Sequence, residues 1–296
     1  MLSLRYVWSS SHPSSLIVSL IMISFLYSAC VPSKIEKTDE GAEGSSLGLQ
    51  KRVISLAPSN TEWVFALKAQ SLLVARTDQC DRPLGVSSIK SIGGLFPPKF
   101  ESILAQKPTD VLMIKGHQEL KGQLKRFGIR VHTLAPQTLD DVLRDVGFLG
   151  KLLDREDDSS RWVEEARMRV SRLKRPLIPP RVLIEVWFSP LTMAGSTSYM
   201  ADLVRRAGGS TLQGIKGEWP TVHLESLVAF DPEVILVSTR ALFDQLQDQD
   251  LSLPWSQMSA VKSGAVYFLD GRLSRPGPRV IEELEWLNST LLRHSK

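Results

Sequence analysis

The chain has 296 residues, enough for two domains of ordinary size, and at 43% hydrophobic and 23% charged it is neither disordered nor a multi-span membrane protein. Its net charge is only +4, from 36 basic and 32 acidic residues that largely interleave, which argues against nucleic acid as the main partner. Two cysteines exclude a disulfide scaffold and a Cys-rich metal site, and five scattered histidines with no H-x-x-x-H pair give no zinc-enzyme pattern.

The amino terminus reads as an address. Arg5 is the one formal charge in the first 33 residues, and residues 16–26 are an apolar run too short for a bilayer span, which takes about 20 residues. A basic start, a short apolar stretch and the small residues Ser28 and Ala29 make residues 1–29 a secretory signal. Cys30 follows at once, with Tyr27 at the place usually held by Leu. The arrangement resembles a bacterial lipobox, in which the peptide is cut before the cysteine and the thiol is lipidated. Residues 30–51 are rich in Ser, Gly, Glu, Lys and Thr and read as a flexible tether behind that anchor. With Cys30 lipidated, Cys80 is the remaining thiol and no intramolecular disulfide forms.

Residues 53–57 (VISLA) form the first predicted strand, broken by Pro58. Ser59-x-x-Glu62 has the spacing of a capping box and predicts a helix over 61–67, closed at Lys68 where glycine is usual. Further apolar runs at 72–75, 111–114 and 130–134 alternate with helical patterns, which predicts a parallel sheet covered on both faces, an N-terminal α/β lobe over 52–150. Residues 139–174 carry no strand signal. There Trp162, Ala166, Val170 and Leu173 recur at helical spacing, and Pro176, Pro179 and Pro180 end the pattern, so a linking helix is expected over 151–178. The α/β pattern resumes at 182–187, 234–237 and 265–269 as a C-terminal lobe over 179–296. The predicted class is α/β: two lobes joined by one long helix.

An internal repeat supports the two lobes. Within residues 100–114 (FESILAQKPTDVLMI), residues 100–113 align without a gap on residues 224–237 (LESLVAFDPEVILV), with Glu101 on Glu225 and Pro108 on Pro232. Each copy reads as a short helix, a proline stop and a buried strand. A carboxylate in a first helical turn is favoured by the helix dipole, which is one reading of the two glutamates. The other is a pair of equivalent acidic knobs, one on each lobe.

The segments at 52–62 (RVISLAPSNTE), 77–83 (TDQCDRP), 92–94 (IGG), 107–110 (KPTD), 218–220 (EWP) and 275–279 (RPGPR) resemble, in order and spacing, the substrate-binding proteins of ATP-driven importers for vitamin B12, iron siderophores and haem. Within that family the cobalamin-binding branch is the nearest in pattern. The resemblance covers residues 52–292. It implies a monomer with a ligand cleft between the lobes, held outside the cytoplasm on a lipid anchor, and partnered by an ABC permease dimer with its ATPase. Cobalamin is then cargo, not a cofactor; a ferric siderophore or haem is the alternative cargo. The family's docking glutamates fall on Glu101 and Glu225. Its ligand-contacting positions fall on Gln79, Leu95 with Phe96 beside it, Lys115, Trp219 and Arg275, with Arg82 and Arg272 expected nearby. Gln79, Leu95 and Lys115 replace aromatic residues found in some members. Trp187 either lines the cleft or packs in the core; Trp63, Trp162 and Trp286 fit helix faces in the core.

An enzyme needs a nucleophile with its base, or a metal. The sequence has no G-x-S-x-G, P-loop or G-x-G-x-x-G. Cys80 has no histidine at a telling spacing and reads as a small buried hydrophobe. Catalysis and a resident metal are therefore not expected.

Overall fold

Strand β1 (Val53–Ser55) leads into helix α1 (Pro58–Ala66), and Pro58, at the first helical position, fixes the corner with a φ already suited to a helix. The structure is a computed structural model and describes residues 50–212, 217–248 and 254–295. The expected signal at 1–29, Cys30 and all of the tether but Gln50 and Lys51 lie outside the described residues. The capping box expected at Ser59 and Glu62 does not form. The helix begins at Pro58 and not at Thr61, so both residues lie inside it, and Glu62 turns to Arg275. At the other end Lys68 takes the left-handed conformation (φ 57°) where glycine was expected, and the N–H groups of Lys68 and Ala69 donate back to Phe65 and Val64.

β2 (Leu73–Arg76), β3 (Asp110–Met113) and β4 (Arg130–Thr133) complete a parallel sheet in the order β2–β1–β3–β4. Helices α2 (Phe100–Leu104) and α3 (Gln118–Arg126) cover one face: Ile103, Leu120 and Leu124 pack with Ile54, Ala75, Val111 and Met113. On the other face Val53, Leu73 and Leu112 meet α1 and α4 (Leu139–Leu152). Burial on both faces is why the central strands β1 and β3 read as apolar runs, whereas the edge strand β4 is only half-buried.

The connection between the sheets holds two helices. α4 has a true capping box at Thr138 and Asp141 and ends before Asp154, whose φ is 56°. α5 (Glu156–Ser171) then packs back on it, so closely that a Cβ at Gly150 would overlap Ser159. The linking helix thus runs over 16 residues, about 24 Å at 1.5 Å per residue, shorter than the expected 151–178. It ends at Ser171, five residues before Pro176, so the prolines are not what stops it, and the left-handed Asp154 before it has no strong signature in sequence.

The second half contains β5 (Arg181–Trp187), β6 (Thr192–Met193), α6 (Tyr199–Arg206), β7 (Ser210–Thr211), α7 (Leu224–Phe230), β8 (Val234–Val237), α8 (Arg240–Leu246), α9 (Ser259–Lys262), β9 (Val266–Phe268) and α10 (Val280–Arg293). β7, β8 and β9 run parallel to their neighbours, so β7–β5–β8–β9 repeats the order of the first sheet, and β6 adds an antiparallel edge beside β5.

The repeat is exact enough to reach single hydrogen bonds. Arg52 Nε donates to the carbonyls of Gln106 and Lys107, and Arg181 Nε donates to those of Phe230 and Asp231. Lys107 and Asp231 both have positive φ, 48° and 45°. In each lobe, then, an arginine at the start of the first strand ties the loop between the short helix and the next strand.

Both sheets contribute to one continuous hydrophobic core, which runs from Val53 and Leu112 through α1, α4, α5 and α6 to Val182 and Val234. Residues from Gly48 onward accordingly make one compact unit with two sheets. Among the described residues no helix is long and apolar enough to cross a membrane.

Candidate functional site

The carboxyl ends of the parallel strands in both sheets open onto one cleft, the place where open α/β sheets hold ligands. A cavity of about 340 Å³, open to solvent, lies there. From the first lobe it is lined by the corner after β1 (Ala57–Ser59), the end of β3 (Ile114, Lys115) and the turn after β4 (Leu134–Pro136). From the second lobe come Tyr199 and Met200 at the start of α6, the loop with Glu218 and Trp219, and Ser274–Pro276.

Trp219 is held by backbone pairing on either side. Gly195 N–H donates to the Glu218 carbonyl at 3.0 Å, and Met193 N–H to the Pro220 carbonyl at 3.0 Å. Only glycine fits at 195, because a Cβ would stand 2.2 Å from the Gly217 oxygen. The indole itself is 46% exposed, an uncovered aromatic face on a fixed loop.

Two ion pairs cross the cleft. Lys115 Nζ lies 3.8 Å from Glu218. Arg275 Nη1 donates to Asp81 at 2.6 Å and to Glu62 at 3.2 Å. Burial opposes the charge on Arg275, but the hydrogen bond and charge of Asp81, then those of Glu62, outweigh it and raise its pKa. The same Arg275 hydrogen bond holds the Asp81 carboxyl below its usual range. A third cross-link is neutral: Trp63 Nε1 donates to the Pro276 carbonyl at 2.8 Å, while its ring meets Trp162 of α5 edge-on.

Of the residues expected at the ligand, Lys115, Trp219 and Arg275 line the cavity. The others do not. Gln79 accepts from Leu95 N–H at 2.9 Å, and Leu95 packs at the edge of the first lobe's core. Phe96 is 62% exposed and stacks on His117, one turn beyond Lys115. Trp187 caps β5 with its indole N–H on the Ser189 carbonyl and is 60% exposed, neither core nor cavity wall. Arg82 lines a separate groove with Arg279, and Arg272 lies over Trp286, so the expected basic rim reduces to Arg275. Cys80 is buried and accepts from Thr61 Oγ1, a packed thiol as expected.

Tyr199 was not singled out in the sequence. It is buried, its hydroxyl has no hydrogen-bond partner, and it lines the cavity. Burial, and then the nearby Glu283 and Asp202 charges, push its pKa well up, so it stays a phenol and a donor. The one local signal is Ser198, which caps α6 and sets Tyr199 as its first residue.

Glu101 and Glu225 are exposed in the first turns of α2 and α7, at matching points of the repeat.

Two sheets of one order facing each other across a preformed cleft define a two-lobed ligand-binding protein. The chain belongs to the periplasmic binding protein family, which it matches over residues 53–273. It is 22% identical over 242 residues to a vitamin B12-binding protein of Vibrio parahaemolyticus, covering 79% of this chain and 86% of that one. Its fold is similar to the periplasmic vitamin B12-binding protein of Vibrio cholerae (TM-score 0.69, 21% identity, 82% of this chain and 97% of that one). It is as similar to the periplasmic haem-binding protein of Roseiflexus sp. RS-1 (TM-score 0.73, 23% identity, 83% of this chain and 100% of that one).

Proposed function

We propose that this protein is the extracytoplasmic substrate-binding component of an ABC importer, lipid-anchored through Cys30, and that it carries a corrinoid in the cleft to a permease. Glu101 and Glu225 then serve as the docking knobs, one per lobe, for a permease dimer with two-fold symmetry. It acts as a monomeric carrier and not as an enzyme.

The observation that carries the corrinoid reading is the charge state of the cavity. Its charged lining groups, Lys115, Glu218 and Arg275, are all engaged in ion pairs, and the rest of the wall is mostly apolar. An anionic ferric siderophore or the carboxylates of haem would have to strip Arg275 from Asp81 and Glu62, leaving a buried Glu62 uncompensated. An amide-rimmed corrin makes no such demand. It can lay its ring against Trp219 and needs nothing from the Tyr199 hydroxyl, which is closed off from the open cavity. That hydroxyl, held protonated by burial, is also poorly suited to bind iron as a phenolate.

Titration calorimetry of the purified protein with cyanocobalamin, haem and a ferric siderophore tests the reading. Stoichiometric heat with cyanocobalamin, and much weaker binding of the two iron compounds, is the expected result. Tight binding of haem or the siderophore without cyanocobalamin binding would overturn the cargo while leaving the carrier role in place.

A further inference from the structure

The far end of the second lobe carries a surface that ligand capture does not use. From 166 to 184 the chain has six basic residues and no acidic one. Arg169 is taken up by Glu285 and Glu282, and Arg181 by Asp231 and Glu233. Arg172, Lys174 and Arg175 are exposed and form no ion pair among the described residues. Directly after them Leu177 is 96% exposed and Ile178 is 58% exposed.

This loop is pinned, so the exposure of its tip is built in. Asn288 donates to the Lys174 carbonyl at 2.7 Å, and Pro176 packs against Gly208 so tightly that a Cβ there would stand 2.5 Å from Pro176 Cδ. Pro179 and Pro180 stiffen the other side. Two adjacent aliphatic side chains are thus held out in water beside three free cations. A protein partner would have to supply an apolar slot ringed with acid. An anionic lipid surface supplies both at once: headgroup phosphates for the cations and an acyl boundary for the aliphatics.

We infer that the loop over 172–178 rests on an anionic phospholipid surface. The geometry is compatible with capture. The loop stands at the amino end of β5, and the cleft lies toward the carboxyl ends of the strands, roughly 23 Å away at 3.3 Å per residue over seven residues. Seating the loop on the membrane leaves the cleft open to solvent. The contact is a reversible resting state, distinct from docking through Glu101 and Glu225.

The full-length chain carrying Cys30→Ser, which removes the lipidated thiol, is labelled with a polarity-sensitive dye at Leu177→Cys; Cys80 is buried and does not compete. The dye should shift to the blue on vesicles of phosphatidylglycerol mixed with phosphatidylcholine, and not on phosphatidylcholine alone. The apolar run at 16–26 enters both vesicle types, so the difference reports the loop. Arg172→Glu with Lys174→Glu should lower the loop's own contact with the anionic vesicles, read from the dye shift, at least ten-fold, since each cation near such a surface counts for roughly five-fold. Both positions are exposed, and an unchanged thermal midpoint confirms folding. A dye that stays water-exposed on anionic vesicles, or a charge-reversed chain whose dye shifts on them as strongly, overturns the inference. So does soluble polyglutamate that shifts the dye as strongly, which would make the surface a site for an acidic protein. None of these outcomes bears on the cargo.

Discussion

Trp219→Ala tests the cleft most directly. The indole is 46% exposed before cargo binds. A tryptophan offers about 200 Å² of surface, so about 90 Å² remains to be covered, and at about 25 cal/mol per Å² full coverage is worth ~2 kcal/mol, or about 30-fold in affinity. A flat ring covering one face alone gives about half that energy, or roughly five-fold. The loop survives the substitution, because its pairing to Met193 and Gly195 is through the backbone. Calorimetry with cyanocobalamin should therefore show a loss between about five- and 30-fold with unchanged stoichiometry. Trp187→Ala is the control: more exposed, at 60%, outside the cavity, and expected to bind as wild type. If Trp219→Ala binds within two-fold of wild type, or Trp187→Ala loses as much, the cavity is not where cargo sits.

Four other outcomes follow from the same structure. Glu101→Ala with Glu225→Ala should leave cargo affinity and folding nearly unchanged, because both side chains are exposed, yet abolish cargo-stimulated transport with the cognate permease in vesicles; normal transport would refute docking. Tyr199→Phe should stabilise the fold by about 1 kcal/mol, by removing an unsatisfied buried hydroxyl, and leave cargo affinity unchanged; denaturant titration and calorimetry measure the two. Burial pushes Asp145 up to about 6, so its stabilising protonated form is full below the unfolded value near 4 and is lost as pH rises through 6. Asp145→Asn should thus raise the thermal midpoint at pH 7 and not at pH 4, whereas the hydrogen bonds from His132 and Arg130 that hold Asp110 low give stability that is lost only in acid. Small-angle scattering with and without cargo should show almost no compaction, since opening the lobes would expose their shared core.

What was legible in the sequence is what periodicity and repetition encode. The apolar runs at 111–114 and 234–237 lie on β3 and β8 because strands buried on both faces must be apolar throughout. The gapless repeat placed Glu101 and Glu225 before any coordinate did. Three things escaped. The start of α1 was misplaced because a local Ser-x-x-Glu spacing is outweighed by Pro58 and by a distant arginine that claims Glu62. The break between α4 and α5 depends on a left-handed Asp154, which no strong pattern marks. The cavity wall was misjudged at Gln79, Leu95 and Trp187, whose positions are set by loop packing, and Tyr199 was missed because one buried hydroxyl without a partner is a property of surroundings and not of spacing.

The pairing across the cleft also explains why binding here need not wait on closure. Trp63 belongs to α1 of the first lobe, yet it packs on Trp162 of the linking helix and donates to Pro276 of the second. The first-turn N–H of Leu139 in α4 is satisfied by Asp202 of α6, and Arg206 of α6 reaches Asp140 at 2.6 Å. Hinging the lobes apart would break these bonds together, and would uncover apolar surface at roughly 25 cal/mol per Å². A few hundred Å² of such surface costs as much as the whole marginal stability of a domain, so the open form is sparsely populated. If cargo binds in this cleft as proposed, it meets a surface already in its bound shape, and little binding energy goes into rearrangement. The permease must then read occupancy from small changes near the rim, where Lys115 and Glu218 face each other at 3.8 Å, the longest of the ion pairs that span the cleft and the first that a bulky ring would part.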